Sequence, residues 1–468
     1  MVQFRKNYLY LIWILLIVIL FFTNWVGLRE RYAISSIDTE NVQGVCIGDV
    51  DVYKPGIEVV YMNTAGVYVV GGLSATPWQN TTYRNSMWVT DPLVGITVGD
   101  FDNTYKGDEI VVLSENGTLR LITRSSETWN NQIIGTVPWT PPEWTFQTML
   151  SGQLIESSES HEIVLIGEHF NWSTSTHTSR ILIAERVSNV SWTLTTIHSV
   201  STQLLCGTIG DIDSTLTGQE LIVGGQETNI IQVYHENGSW HTDLVFEWVG
   251  TIRSLAIGNI RPDRTGNEIA LVIGNDIRIL SRTPTGWDPD TIWQSYTMQA
   301  GINEVLIADF DPYNPGEEVL GCGTVFANNR PMLILQSWNT IFWQSRILWY
   351  PLSPPETLTA GNYDFAREGT EVIVGNHPAT AILAVPNIAD RNIRAGQTVL
   401  LPALILIPAT IMTFGFADYM SRVSDRRRRN RALEMVTKGF VKCPVCKRFV
   451  PKDKIEAHRR WHRTQQFR

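Results

Sequence analysis

Four residues near the end of the chain have the types and spacing of a metal chelate: Cys443-x2-Cys446-x11-His458-x3-His462. Zinc takes four nitrogen or sulfur ligands in a tetrahedron, and a Cys-x-x-Cys turn brings two thiolates to one point. His458 and His462 are four apart, so a helix sets both on one face. Phe449 and Ile455 supply a small apolar core, and Asp453 is placed to cap that helix. A module of about 20 residues has too little core to fold alone, so the metal would supply the folding energy.

The second set with chemical potential is carboxylate-rich and periodic. Its clearest copy runs Gly99-Asp100-Phe101-Asp102, a loop, then Gly107-Asp108-Glu109 and an apolar run. The first position recurs seven times, at Asp49, Asp100, Gln153, Asp211, Asn259, Asp309 and Asn362. Nine residues later stands Glu58, Glu109, Glu162, Glu220, Glu268, Glu318 or Glu371. A Gly lies two residues before the Glu in six copies, and Ser160 replaces it in the third. The sequence leaves two roles open. The acidic side chains can clasp backbone N–H groups of their own loop, as in an Asx-turn, or they can hold a cation. Gln153 and Asn259, standing where others have Asp, suit the clasp.

A fixed period of about 50 residues decides the fold. In the second copy, Leu93–Val98, Glu109–Ser114, Thr118–Thr123 and Trp129–Gly135 read as four strands, with Asn116-Gly117 as a turn. A Trp 29 residues after the first position marks the fourth strand at Trp78, Trp129, Trp240 and Trp338. Trp287 comes at 28, and Trp192 at 39 after an insertion around Asn171–Ser179. Four strands per repeat, seven times, predict an all-β, seven-bladed β-propeller over residues 29–392. The seventh copy lacks a fourth strand. Residues 29–38 are expected to supply it and close the ring, which removes an open sheet edge.

The Gly-Asp-x-Asp loops with their later carboxylate resemble the FG-GAP or VCBS repeat, the blade unit of integrin-α-type propellers, over about residues 40–390. The resemblance implies an extracellular propeller that binds proteins or glycans. It also implies calcium ligands at Asp49, Asp51 and Glu58; Asp100, Asp102 and Glu109; Asp211, Asp213 and Glu220; and Asp309, Asp311 and Glu318. The sequence departs from that pattern at the fifth loop position, which is Tyr53, Thr104, Thr215 or Tyr313 rather than Asp. Residues 443–462 resemble a C2H2-type ββα zinc finger, with a middle spacer one residue short.

Residues 8–28 and 398–416 are uncharged and long enough to span a bilayer, and predict two transmembrane helices, the first an uncleaved signal-anchor. Residues 417–442 read as a basic linker. From Ala417 onward there are 16 Lys and Arg against 5 Asp and Glu, although the whole chain carries a net charge of −9. The positive-inside rule then expects residues 1–7 and the tail in the cytoplasm and the propeller outside, at the plasma membrane. Five sequons, at Asn80, Asn116, Asn171, Asn189 and Asn237, all fall in the acidic portion. Cys46, Cys206 and Cys322 are odd in number, which favours buried thiols over a disulfide framework.

The sequence has no Gly-x-Ser-x-Gly, phosphate loop or dinucleotide fingerprint, and its propeller histidines show no ligand spacing. The expected function is therefore that of a membrane-anchored receptor or adhesion protein, not an enzyme. Its propeller would bind a protein or glycan, and its zinc finger a cytoplasmic protein or anionic lipid. Nucleic acid suits a single tethered finger less well. A polysaccharide hydrolase or lyase on the propeller and a structural subunit of a membrane complex are the alternatives.

Overall fold

The computed structural model describes residues 34–383, apart from short stretches between and flanking strands, and residues 419–465. The chain divides into two compact units, 1–390 and 391–468.

The first unit is an all-β propeller. Six blades are each built from four consecutive antiparallel strands. Blade 1 runs from Val42–Gly48 to Tyr83–Met87, blade 2 from Leu93–Gly99 to Thr128–Thr136, and blade 3 from Trp144–Gly152 to Ser191–Val200. Blade 4 spans Gln203–Gly210 to Ser239–Phe246, blade 5 Ile252–Gly258 to Gly286–Trp293, and blade 6 Ala300–Ala308 to Trp343–Trp349. Counted as units of consecutive strands, the propeller has six blades, not seven. The remaining four-stranded sheet is a composite of Pro355–Gly361, Glu371–Asn376 and Thr380–Leu383 with Ile34–Asp38 from the other end of the chain. In it Ile34 pairs with Leu383 and Ser36 with Ala381.

Burial explains the strand sequences. Every residue of Glu58–Asn63, Glu109–Ser114 and Glu268–Ile273 is buried. These second strands are covered on both faces by neighbouring blades, so they are apolar runs rather than alternating ones. The cores accordingly lie between blades. Leu113, Leu121 and Ile134 of blade 2 pack with Met149, Leu165 and Leu182 of blade 3. Fourth strands lie at the rim, where Thr128–Thr136 is mostly exposed.

One strand marker is corrected. Trp338 ends the third strand of blade 6, where it pairs with Trp343 of the fourth. Trp343 is thus the counterpart of Trp129, Trp192, Trp240 and Trp287, which pair with Arg124, Arg186, His235 and Arg282. Trp78 lies outside the described residues. Cys46, Cys206 and Cys322 are free thiols, and burial pushes Cys46 and Cys206 up to about 12.

The expected membrane topology is also corrected. Among the described residues no helix is long and apolar enough to cross a membrane. The stretches 8–28 and 398–416 lie outside the described residues, so the structure supports neither flanking transmembrane helices nor a cell-surface propeller with cytoplasmic termini. In the second unit, residues 419–437 are helical where a linker was expected. A hairpin of Phe440–Lys442 and Phe449–Pro451 follows, then a 3₁₀ turn at Lys452–Lys454 and the helix Ile455–Gln465.

Candidate functional site

The second unit gathers Cys443, Cys446, His458 and His462, whose ligand atoms all lie within 4.8 Å of one another. The hairpin sets the two cysteines at its turn. Lys447 N–H donates to the Cys443 carbonyl, and Cys443 N–H to that of Arg448, at 2.9 and 2.8 Å. Lys447 has φ 60°, which tightens that turn. The helix presents both histidines, with His458 Nε2 3.2 Å from Cys446 Sγ and 3.2 Å from His462 Nε2. A tetrahedron with bonds of about 2.0–2.3 Å has edges of roughly 3.3–3.8 Å, so the two 3.2 Å separations match those edges, while the 4.8 Å outer bound is about 1 Å wider than them. The N–H of Cys446, and then that of Val445, hold the Cys443 thiol below its ordinary pKa against the opposing effect of burial. Cys443 is buried, whereas Phe449 and Ile455 are only half-buried. The apolar core is therefore as thin as its length implies. Asp453 sits within the 3₁₀ turn ahead of the helix. These four residues can chelate a metal ion.

The signature carboxylates are engaged differently. Glu109 Oε2 accepts the N–H groups of Phe101 and Asp102, both at 2.8 Å. Glu58 does the same for Val50 and Asp51, Glu162 for Leu154 and Ile155, Glu220 for Ile212 and Asp213, and Glu268 for Ile260 and Arg261. Glu318 accepts from Phe310 at 2.9 Å. Burial pushes Glu109 up to about 8 and Glu220 to about 7, partly offset by those N–H donors. The second aspartate closes its own turn: Asp102 Oδ1 accepts Thr104 N–H and O–H, and Asp213 Oδ1 accepts the same pair from Thr215.

A protein cation reaches each of these aspartates from the next blade. Arg124 lies 3.3 Å from Asp51, Arg186 2.7 Å from Asp102, and Arg282 2.7 Å from Asp213. The Arg282 hydrogen bond is the main reason Asp213 falls to about 2. In blade 3 the first position even has inverted polarity. Gln153 Nε2 donates to the Ile155 and Ser158 carbonyls at 2.7 and 2.8 Å, where a calcium ligand would offer oxygen. Asp49 and Asp100 are raised chiefly by burial. Asp211 contributes its carbonyl to Asn267 of the next blade, and Asp309 its carbonyl to Thr370 N–H. Asp311 lies outside the described residues.

The first position also stitches the blades together. Its carbonyl accepts the N–H of the residue just before the next blade's Glu: Asp49 from Asp108, Asp100 from His161, Gln153 from Gln219, and Asn259 from Glu317, at 2.7–2.9 Å. At the first junction that contact requires the glycine, whereas the third copy makes it with Ser160. Gly107 has φ +86°, and a Cβ there would lie 2.4 Å from the Asp49 carbonyl oxygen.

The opposite end of the strands carries a cluster that spacing did not reveal. In blade 3 the second and third strands extend to Glu162–Asn171 and Thr176–Ser188, longer than in the other blades. The extension brings Glu168, His169, Phe170, Trp172 and His177 together. Glu168 is buried and accepts hydrogen bonds from His177 Nδ1, from Gln147 Nε2 at 3.1 Å and from Gln203 Nε2 at 2.6 Å. Phe170 packs on His177 and edge-on against Trp172, which is 83% exposed. Trp144 packs at a tilt against His169 and lies under the Arg180 guanidinium. The ten-residue insertion was the only signal in the sequence. The antiparallel register that sets Phe170 opposite His177 had to be seen. Among the sequons, Asn116 and Asn237 lie exposed at turns, and Asn171 ends the extended strand with Oδ1 accepting from Ser173. Asn80 and Asn189 lie outside the described residues.

No protein-family model matches the chain, and no curated protein matches it. The resemblance to FG-GAP or VCBS repeats is corrected on that finding and on the arginine-paired aspartates. Solved structures match the fold. A chain of the crystal structure of BBS1N in complex with ARL6DN, soaked with mercury, aligns at 13% identity over 75% of this chain and 94% of that one, with a TM-score of 0.50. Saccharomyces cerevisiae Sqt1 aligns at 8% identity over 75% of this chain and 97% of its own, with a TM-score of 0.43. Likeness at such identity concerns the propeller architecture alone.

Proposed function

We propose that the propeller is a non-catalytic scaffold subunit that binds another protein through the blade 3 extension. The observation that carries this reading is the extension itself. It carries Phe170 on the lengthened strand and the exposed Trp172 in the turn that follows it. Rigid exposed aromatic residues are typical anchors of protein interfaces. The stitched junctions on the other face keep the ring rigid and leave this face free to vary. In the second unit, the Cys443, Cys446, His458 and His462 cluster is read as a zinc site that folds a basic module. The aspartate loops are read as clasps that work without calcium.

The test is co-purification with the full chain in fixed stoichiometry, comparing wild type with Trp172→Ala and Phe170→Ala. Loss of one stoichiometric partner with unchanged thermal unfolding is expected. Equal recovery of every partner by both variants would remove the extension from the binding surface.

A further inference from the structure

Beside the extension, a cleft of about 580 Å³ opens between blades 2 and 3. Leu93, Val94, Val137, Trp144 and Phe146 give it apolar and aromatic walls. Two of its lining residues belong to the blade 3 cluster: Trp144 packs against His169, and Gln147 donates to Glu168. All of these lie where first strands begin and second strands end, the face opposite the signature loops.

One polar atom in the cleft has no partner. Ser114 is 1% exposed, lines the cleft, and its Oγ makes no hydrogen bond among the described residues. A buried hydroxyl left unsatisfied carries a desolvation penalty, so a ligand that bonds it recovers free energy unavailable to the empty site. The charge of the ligand is also constrained. Glu115, exposed at the rim, is the one charged residue among the described residues lining the cleft. Residues 1–416 carry 41 Asp and Glu against 21 Lys and Arg. Arg180 is over the Trp144 ring but is not among the lining residues, so the lining itself gives an anion no cation to pair with, whereas a cationic side chain meets Glu115 and a favourable field.

We propose that this cleft binds a short extended peptide segment of the partner. An aromatic or branched aliphatic side chain enters between Val94, Trp144 and Phe146. A main-chain or side-chain donor reaches Ser114 Oγ, and a flanking Lys or Arg lies against Glu115. This deepens, and rests on, the reading of the propeller as a protein-binding scaffold. The cleft supplies specificity for one side chain, and the exposed Trp172 supplies contact area alongside it. Apolar pockets with a few directed polar groups are the usual form of such sites.

The probe is a random dodecapeptide phage library selected on the full chain, followed by fluorescence anisotropy with the enriched peptides. Enrichment of peptides that pair an aromatic or aliphatic residue with Lys or Arg is expected. Ser114→Phe should fill the cleft and weaken them at least about tenfold. Glu115→Lys, a surface change with no folding consequence, should weaken them about three- to tenfold, an effect that shrinks with added salt. If Ser114→Phe does not fold, Val94→Trp at the half-buried wall takes its place. The inference is overturned by no enrichment, by enrichment of acidic peptides, or by peptides that bind Glu115→Lys and the filled variant as tightly as wild type. A partner that still co-purifies with the filled variant but not with Trp172→Ala would overturn the cleft and leave the scaffold reading standing.

Discussion

The tail cluster and the propeller loops look alike as sequence, since both place metal-type ligands at regular spacing, yet they are opposite in structure. In the tail, two sulfurs and two ring nitrogens converge on one another, and the only other donors to them among the described residues are the backbone N–H groups of Cys446 and Val445 at the Cys443 sulfur. In the loops, the Glu and the second aspartate already have protein donors, although the first-position Asp100 Oδ1 does not: Glu109 has two N–H groups, and Asp102 has Thr104 and the Arg186 guanidinium. Spacing shows only that donors can meet. Whether an ion is needed depends on what else satisfies those atoms. The second question is answered by residues about 80 positions away, such as Arg186, and not by the motif.

The sharpest way to break this contrast is to remove the metal. A zinc chelator or Cys446→Ser should abolish helical folding of residues 455–465 altogether, because the half-buried Phe449 and Ile455 cannot sustain a fold of this size. The propeller's thermal midpoint should not move with the same chelator or with EDTA. Metal analysis of the full chain, circular dichroism and a thermal melt read all three. A chelator-induced drop in the propeller midpoint would show that the loops do need an ion.

The next largest effect concerns the arginines. Arg186 and Asp102 are both nearly buried as a pair, so Arg186→Ala should cost about 3–5 kcal/mol by leaving a buried carboxylate unpaired. Arg282→Ala should cost less, because Arg282 is 42% exposed and solvent screens its pair with Asp213. Blade 5 offers an internal control. There Arg261 replaces the aspartate, and across the junction Trp338 replaces the arginine, with the guanidinium 4.3 Å from the ring centroid. Trp338→Arg should therefore set like charges against each other and destabilise. Denaturant midpoints would check the ranking, and equal costs for Arg186→Ala and Arg282→Ala would argue against burial as its cause.

Much of the fold was legible because it is written seven times. The constant nine-residue offset to Glu and the apolar run after it follow from a second strand buried on both faces, so blade boundaries in the second copy fell within two residues of Leu93–Gly99, Glu109–Ser114, Thr118–Ser125 and Thr128–Thr136. Trp338 was misplaced because a Trp at the right count is not a Trp in the right register, and the third strand of blade 6 simply runs longer. The Cys2His2 cluster was legible because a hairpin and one helix fix all four positions locally. The Glu168 cluster was not, since Gln147, His177 and Gln203 reach it from three different strands.

A smaller effect tests whether carboxylates packed between the propeller's sheets work uncharged. Glu304, on the first strand of blade 6, accepts from Leu358 N–H of the neighbouring sheet, and burial pushes it up to about 8. Unfolded, it would titrate near the ordinary 4.5. Between those two values the folded state holds a proton that the unfolded state has lost, so stability is fully present below about pH 4.5 and declines as pH rises toward about 8. Glu109 and Glu220 act with the same sign up to about 8 and about 7. Glu304→Gln keeps an acceptor for Leu358 and cannot ionise. Its urea midpoint should therefore fall less steeply than that of wild type between pH 5.5 and 8.5, with the two proteins closest at the acid end. Parallel profiles would mean that Glu304 ionises as readily folded as unfolded, and that this junction, like the Asp213 loop, is held by charge.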